Sequence, residues 1–199
     1  MPDPSTLGAM ALFALTTAIT PGPVNVICAI SGGQFGFWRS SGFVTGATLC
    51  FVALLLALGS GVVAGTGWVE SASTPMTWLG AGYLLWLAWR ISGAGTLDAS
   101  GDDRKNPSFR EGALAQGINP KAWFVSLAAT TTFVLPLPDR TTGLIVFALL
   151  YLVICWLSLA VWVWLGSKLA ASWGRGFNRA MALLLVLSVG WMLVGLTGG

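Results

Sequence analysis

Two short segments interrupt apolar stretches of the chain with residues that can form a polar site. The first is Thr20-Pro21-Gly22-Pro23, closely followed by Asn25, and the second is Gly117-Ile118-Asn119-Pro120-Lys121. Proline removes a backbone donor and clashes with the carbonyl one turn earlier, so each segment should break a helix and free polar backbone groups. Freed carbonyls suit an ammonium, and the start of a half-helix suits a carboxylate. The two segments together therefore favour a binding site for a zwitterion such as an amino acid.

Lys121 is the most informative single residue in these two segments. It directly follows Pro120, about nine residues into an apolar stretch. A charge near the bilayer centre costs at least ~2.5–3.5 kcal/mol and normally faces a cavity or a partner. Lys121 is therefore expected either to anchor a substrate carboxylate or move with a transport cycle, or else to extend to a nearby interface. Asn25 and Asn119 flank the breaks and could cap a half-helix or contact the substrate.

The composition excludes several other kinds of protein. Of the 199 residues, 55% are hydrophobic and 9% are charged, whereas a soluble domain usually carries about 25% charged residues. There is no histidine, and Cys28, Cys50 and Cys155 lie within apolar stretches without a CxxC spacing. Catalytic, metal and redox sites and a cofactor are therefore not expected. The net charge of +3 comes from short loops and does not indicate nucleic-acid binding.

Apolar stretches recur along the chain and predict an all-α membrane protein with six transmembrane helices. Each stretch should be helical because backbone groups in lipid must pair with one another. The first residues contain no Lys or Arg, so the first stretch is expected to be a permanent helix and not a cleaved signal. The predicted spans cover residues 7–31, 42–64, 75–91, 112–135, 143–166 and 180–197.

The distribution of basic residues predicts the orientation. Eight of the ten follow the first, third and fifth spans, the opposite side has Arg140, and Lys121 lies within a span. Basic loops stay in the cytoplasm, so both termini are expected outside. The eight are Arg39, Arg90, Arg104, Lys105, Arg110, Lys168, Arg175 and Arg179.

The two breaks lie at corresponding positions in the two halves of the chain. Residues 1–92 and 112–199 each supply three spans, and the polar loop at 93–111 joins them within a single domain, 1–199. Because three is odd, the second half must be inserted upside down relative to the first. The pattern therefore predicts two inverted three-helix repeats with broken first and fourth helices, a transporter arrangement that places the breaks together near the midplane.

Several sequence motifs resemble those of the LysE/RhtB amino-acid exporters. They are TPGPVN at 20–25, the glycines between 32 and 46, GAGYLLWLAWR at 80–90 and GINPKAWF at 117–124. The resemblance covers nearly the whole chain, and within the family it is greatest to exporters of cysteine and O-acetylserine. It implies a bacterial inner-membrane carrier driven by the proton gradient. It also implies that Pro21, Gly22, Pro23, Asn119, Pro120 and Lys121 line or shape the transport site.

Other interpretations remain at this point. Many relatives have an acidic residue at the position of Ala47, so the residue that would carry a proton is not evident. A thiol–disulfide carrier would need a cysteine pair from the two breaks, and a carrier of inorganic ions would need carboxylates or histidines within the spans. The predicted partners are an amino-acid substrate and the lipid bilayer, and the glycine-rich faces could also support a homodimer.

Overall fold

A computed structural model describes residues 1–64 and 107–173, together with positions 75, 78, 82, 85, 176, 179–184, 186, 187 and 190. All regular structure in these residues is helical, in agreement with the predicted all-α class. Most of the predicted spans 75–91 and 180–197, and most of the loop 93–111, lie outside the described residues. The six-helix inverted repeat therefore stays a prediction.

The described elements are six α-helices and one π-helical turn. They are α1 (Pro4–Ile19), α2 (Pro23–Phe35), α3 (Phe37–Val63), α4 (Phe109–Gly117), α5 (Pro120–Ala129), the π-helical turn Thr130–Val134, and α6 (Arg140–Trp173). Within the described residues, Phe37–Val62 and Arg140–Leu169 are each long and apolar enough to cross a membrane, with mean hydropathies of 2.1 and 2.8. The bent pair α1–α2 would be a third span if it counts as one.

Both predicted breaks are present. The axes of α1 and α2 differ by 59°, and the extended residues Thr20 and Gly22 lie at the junction. Ile118 and Asn119 separate α4 from α5. Pro23 begins α2 and Pro120 begins α5. The N–H that each of them lacks would fall in the first turn of its helix, where no intrahelical acceptor exists. The breaks therefore end one helix and start another and are not simple kinks.

The connection between α2 and α3 is a single residue. Gly36 has φ of 78° and ψ of 174°, a backbone conformation essentially restricted to glycine. The hydroxyls of Ser31 and Ser40 hydrogen-bond across this corner at 2.6 Å. The second span consequently begins at Phe37, five residues before the start predicted from hydropathy.

The N-terminus and the loop before α6 lie on the same face of the molecule. Asp3 caps α1 by accepting hydrogen bonds from the amides of Ser5 and Thr6. Hydrogen bonds from Thr142 lower the pKa of Asp139, and the N-terminal ammonium lowers it further. Ser5 and Thr6 also line one cavity with Leu137, so the start of α1 lies next to the segment that leads into α6.

Glycines allow two pairs of helices to approach with their backbones in contact. In the pair α2–α6, Gly32 lies against the carbonyl of Val163 and Gly166 against that of Ala29. In the pair α3–α4, Gly46 contacts the carbonyl of Phe109 in the same way and Gly112 that of Phe43. Small residues at such crossings are the usual means of close helix packing in membranes. Gly46 therefore serves close packing, and its partner is α4.

The contact between α2 and α6 gives a stability prediction. Replacing Gly166 with alanine would place Cβ against the Ala29 carbonyl oxygen, where only a shift of the backbone can relieve the overlap. We expect Gly166→Ala to lower the melting temperature of the detergent-solubilised protein by several degrees. In the control, Gly8→Ala, the added Cβ has no heavy atom within 4 Å and improves helix propensity by about 0.8–1.0 kcal/mol. Equal melting temperatures for the two variants would contradict the packing argument.

Candidate functional site

The carbonyl groups freed at the end of α1 are each paired with a side-chain donor. Pro21 and Pro23 have no N–H to offer to the carbonyls of Thr17 and Ile19, four residues earlier. The hydroxyl of Thr20 donates to the Thr17 oxygen at 3.2 Å, and the indole N–H of Trp162 in α6 donates to the Ile19 oxygen at 2.9 Å. Both carbonyls thus regain a donor.

The remaining two carbonyls at this helix end are paired by residues predicted for the site. The side-chain amide of Asn25 donates to the Ala18 oxygen at 2.8 Å. The Nζ of Lys121 donates to the Thr20 carbonyl oxygen at 2.8 Å and contacts the Thr20 hydroxyl oxygen at 3.0 Å. Lys121, which belongs to the second break, therefore pairs the carbonyl of the residue that caps the C-terminal end of α1.

The carbonyls freed at the second break are paired in a similar way. The backbone N–H of Asn119 donates to the carbonyl of Gln116, because Pro120, four residues after Gln116, has no N–H to offer. The indole N–H of Trp123 donates to the Gly117 carbonyl at 2.9 Å. Asn119 Oδ1 accepts from the backbone N–H of Lys121 at 3.2 Å, so this side chain caps α5. A tryptophan thus pairs one freed carbonyl at each break.

Lys121 lies deep within the membrane-spanning part of the molecule. It shares a cavity with Tyr151, Cys155 and Leu159, which stand near the middle of the apolar span Arg140–Leu169. Its side chain points at the first break and is held there by Thr20. This position favours the prediction that Lys121 faces a cavity over the alternative that it extends to an interface.

The Lys121 ammonium donates to two neutral oxygens among the described residues, the carbonyl and the hydroxyl of Thr20. Carboxylates in the described ranges belong to Asp3, Glu111 and Asp139, and all three bond to groups at the first turn of a helix. None of the three lines the cavity. Within the part of the chain that the structure describes, the positive charge therefore has hydrogen-bond partners but no carboxylate partner.

Gly22 leaves room for the lysine side chain. A Cβ at this position would lie 3.1 Å from Lys121 Cδ, 3.3 Å from its Nζ and 3.4 Å from Asn25 Oδ1. These separations are shorter than, or at the edge of, ordinary van der Waals contact. The backbone of Gly22 is extended, with φ of −159°, so any residue could adopt it. The absence of a side chain, and not the backbone conformation, is what this position requires.

The cavity joins the two breaks and is small. Its volume open to the centre of a water molecule is about 20 Å³, which is room for about one water. In this arrangement that volume is too small for an amino acid. The lining residues are Thr17, Ala18, Val24, Asn25, Phe51, Gln116, Asn119, Lys121, Ala122, Val125, Tyr151, Cys155 and Leu159.

One wall of the cavity combines an aromatic face with hydroxyl groups. The ring of Tyr151 stacks on Phe51 with centroids 4.1 Å apart. Its hydroxyl and that of Thr17 are hydrogen-bonded at 2.8 Å. Phe147 continues the aromatic cluster along α6 towards the face that holds the N-terminus. This wall offers an apolar surface with a polar edge to the cavity that Lys121 also lines.

The structure brings the predicted site residues together in different roles. Asn25, Asn119 and Lys121 line the cavity. Thr20 and Gly22 do not line it, but both lie next to the side chain of Lys121. Pro23 and Pro120 begin α2 and α5, and Pro21 lies exposed within the first break. Further lining or pairing residues, which sequence reasoning did not select and whose side chains carry a polar group or a thiol, are Thr17, Gln116, Trp123, Tyr151, Cys155 and Trp162.

Two of these additional residues carried a usable signal in the sequence. Trp123 and Trp162 lie within the fourth and fifth predicted spans, whereas tryptophan is usually enriched at the interfaces. A buried indole N–H needs an acceptor, and within a membrane this is either a freed carbonyl near a helix break or a side-chain oxygen such as the one that Thr45 offers to Trp156. Tyr151 and Gln116 gave no comparable indication, because nothing local in the sequence says which helices face the breaks.

Comparisons with known proteins place the chain among transporters. A family model described as LysE type translocator matches residues 15–198. Cysteine/O-acetylserine efflux proteins of Escherichia coli K12 and of Shigella sonnei are each 31% identical over 187 residues, which covers 92% of this chain and 95% of each relative. The corresponding protein of Escherichia coli O157:H7 is 30% identical over the same length. No solved structure matches.

The bond from Trp162 to the first break can be tested by removing the indole N–H. Trp162→Phe keeps an aromatic ring but leaves the Ile19 carbonyl without the donor seen here, which we expect to cost on the order of 1 kcal/mol. The melting temperature in detergent should fall and export should slow. Trp164→Phe, at a half-exposed position of the same helix, is the matched control. If both variants behave alike, the bond to Ile19 does not stabilise the break.

Proposed function

Because the chain belongs to the LysE family of translocators, we propose that it is a secondary transporter that exports small amino acids or their derivatives from the cytoplasm. The names of its curated relatives point to cysteine and O-acetylserine as the substrates to test first. Both molecules carry an ammonium and a carboxylate on the α-carbon, together with a short side chain. The proposed location is the bacterial inner membrane, with the chain as a multi-pass protein.

The observation that carries this proposal is the charge of Lys121. An ammonium at mid-span is bonded to neutral oxygens of a broken helix, and no described carboxylate lines the cavity. A charge at this depth normally has a partner of opposite sign. The carboxylate of an amino acid would supply that partner. Lys121 is therefore the proposed anchor of the substrate carboxylate.

The first turn of α2 supports the same assignment. This helix begins at Pro23 without a side-chain cap from any described residue, and Val24 and Asn25 of its first turn line the cavity. A helix start carries a partial positive charge and free N–H groups, which favour an anion. The substrate carboxylate would consequently meet two positive elements, the lysine and the start of α2. Thr20, Pro21, Gly22, Asn119 and Pro120 complete the proposed site by shaping the breaks.

The size of the cavity and its wall bear on the proposed substrate. A bound amino acid must expand the cavity, and the required opening grows with the side chain. The wall of Phe51 and Tyr151 offers apolar contact, with the hydroxyls of Tyr151 and Thr17 at its edge. A short side chain with a thiol or an ester suits this wall. We therefore assign small amino acids to the site.

The two breaks provide the proposed hinges of the transport cycle. Opening α1 from α2 on one side, or α4 from α5 on the other, would expose the cavity alternately to each face. The inverted repeat, 1–92 and 112–199, within a single domain is part of this proposal, as is an orientation with both termini outside. The shared face of the N-terminus and the start of α6 is compatible with that topology. A homodimer and the proton gradient as energy source also belong to the proposal, the latter by relation to the family.

The export proposal predicts the effect of removing the charge. In cells that overproduce the protein and are loaded with cysteine or O-acetylserine, wild type should accelerate efflux of at least one of them. We expect Lys121→Met, which keeps a long side chain without the ammonium, to reduce that efflux to the level of cells without the protein, while membrane insertion is unchanged. Quantification of the external amino acid and of the membrane-bound protein measures both.

A second lysine provides the control for this experiment. Lys168 is exposed near the end of α6 and does not line the cavity, so Lys168→Met should export at the wild-type rate. No accelerated efflux of any amino acid by wild type would refute the export proposal. If Lys121→Met exports at the wild-type rate, the proposed role of Lys121 is contradicted, whereas the export proposal is not.

Coupling to the proton gradient can be measured separately. In proteoliposomes loaded with substrate, an imposed proton gradient should accelerate release of the substrate. A protonophore should return the release rate to that of downhill efflux without a proton gradient. The same gradient should have no effect on liposomes without the protein. A release rate that ignores the gradient in protein-containing vesicles would contradict proton-driven export, although amino-acid export by another energy source would remain.

A further inference from the structure

The Lys121 ammonium occupies a position that a substrate ammonium would also favour. It donates to the Thr20 carbonyl at the C-terminal end of α1, with 2.8 Å between Nζ and the oxygen. The carbonyl end of a helix carries a partial negative charge and attracts cations. The α-ammonium of an amino acid has the same donors and the same charge as the lysine head group. The protein therefore already fills the cation site of the first break with one of its own groups.

We propose that Lys121 is an internal stand-in for the substrate ammonium, and that a zwitterion enters by exchange. The incoming ammonium takes over the Thr20 carbonyl, and the released lysine turns to the incoming carboxylate. This inference rests on the proposed export function and adds to it where the ammonium binds and what must leave first. No group is left without a partner before or after the exchange.

The four donors at the end of α1 differ in their freedom to move. Asn25 is buried at the start of α2, Trp162 belongs to the long helix α6, and the Thr20 hydroxyl bonds within its own turn. Lys121 instead reaches across from the second break on four flexible methylene groups. Its bond can be exchanged by side-chain rotation, without moving a helix or a buried group. The Thr20 carbonyl can consequently be released to a ligand with little change elsewhere in the structure.

The space around the lysine head group is compatible with such a movement. Gly22 has no side chain, and a Cβ there would crowd both Nζ and Cδ of Lys121. Asn25 Oδ1 lies on the same side, 3.4 Å from that hypothetical Cβ. The head group therefore borders a polar area next to the uncapped start of α2, where a carboxylate would bind. A short rotation would bring the lysine from Thr20 to that carboxylate.

The proposal can be tested with a ligand that has the ammonium but no carboxylate. Cysteamine is cysteine without its carboxylate, so in wild type it must displace Lys121 without offering a new partner. We expect it to bind weakly to wild type and roughly tenfold more tightly to Lys121→Met, where the Thr20 carbonyl is vacated. Lys121→Arg, which keeps a charged donor, should bind cysteamine as weakly as wild type. Thermal stabilisation of the purified full-length protein in detergent under reducing conditions measures the affinities.

Thiocholine separates hydrogen bonding from simple removal of charge. It is the trimethylated form of cysteamine, and it has the positive charge but no N–H donor. If the Thr20 carbonyl is released in Lys121→Met, this variant should bind cysteamine more tightly than wild type does. Its affinity for thiocholine should change little. An equal gain for both, or no saturable binding of cysteamine to Lys121→Met, would overturn the exchange proposal. Lys168→Met serves as the control, and neither ligand should change its affinity there.

The outcome is distinguishable from a failure of the export proposal. Wild type that neither binds nor exports cysteine or O-acetylserine would contradict the proposed function, whatever cysteamine does. Wild type that exports one of them, with cysteamine affinity unchanged in Lys121→Met, would contradict only the exchange. In that case the substrate ammonium binds elsewhere in the cavity.

Discussion

The requirement that every freed carbonyl in the membrane has a donor determines how this molecule is built. The prolines of the first break remove donors, and lipid offers no replacement. The four carbonyls from Thr17 to Thr20 are paired by side chains from the break itself, from α2, from the second break and from α6. Because two of these donors are distant in sequence, the break exists only as part of the packed bundle. Local sequence creates the break, and tertiary structure makes it tolerable.

The close contact of α2 with α6 follows from the same requirement. Trp162 reaches the Ile19 carbonyl because its helix runs directly beside the break. The backbone contacts at Gly32 and Gly166 hold α2 against α6 just beyond the break. A larger residue at either glycine would separate the helices and lengthen the indole bond. Glycines that look purely structural thus also determine the hydrogen bonding of the proposed site.

The sequence predicted the parts of this arrangement that depend on local chemistry. The positions of both breaks follow from what Pro21, Pro23 and Pro120 cannot donate, and the capping role of Asn119 was one of two stated alternatives. The donors from α6 were not predicted, since hydropathy identifies a span but not the face it turns to its neighbours. The start of α3 was placed late, because hydropathy does not reveal that Gly36 can turn the chain in one residue. The bond between Lys121 and Thr20 joins residues 101 positions apart and required the structure.

A site whose polar groups are already satisfied selects ligands by exchange. An anion alone could attract Lys121, but the Thr20 carbonyl would then lose its donor in a setting where an unpaired acceptor is costly. A cation alone could replace the lysine at Thr20, but it would leave two positive charges beside each other. A zwitterion with its charges one carbon apart corrects both deficits in a single step. The gain on binding is then small, because bonds are exchanged and few are added. That balance suits a carrier, which must release its substrate as readily as it binds it.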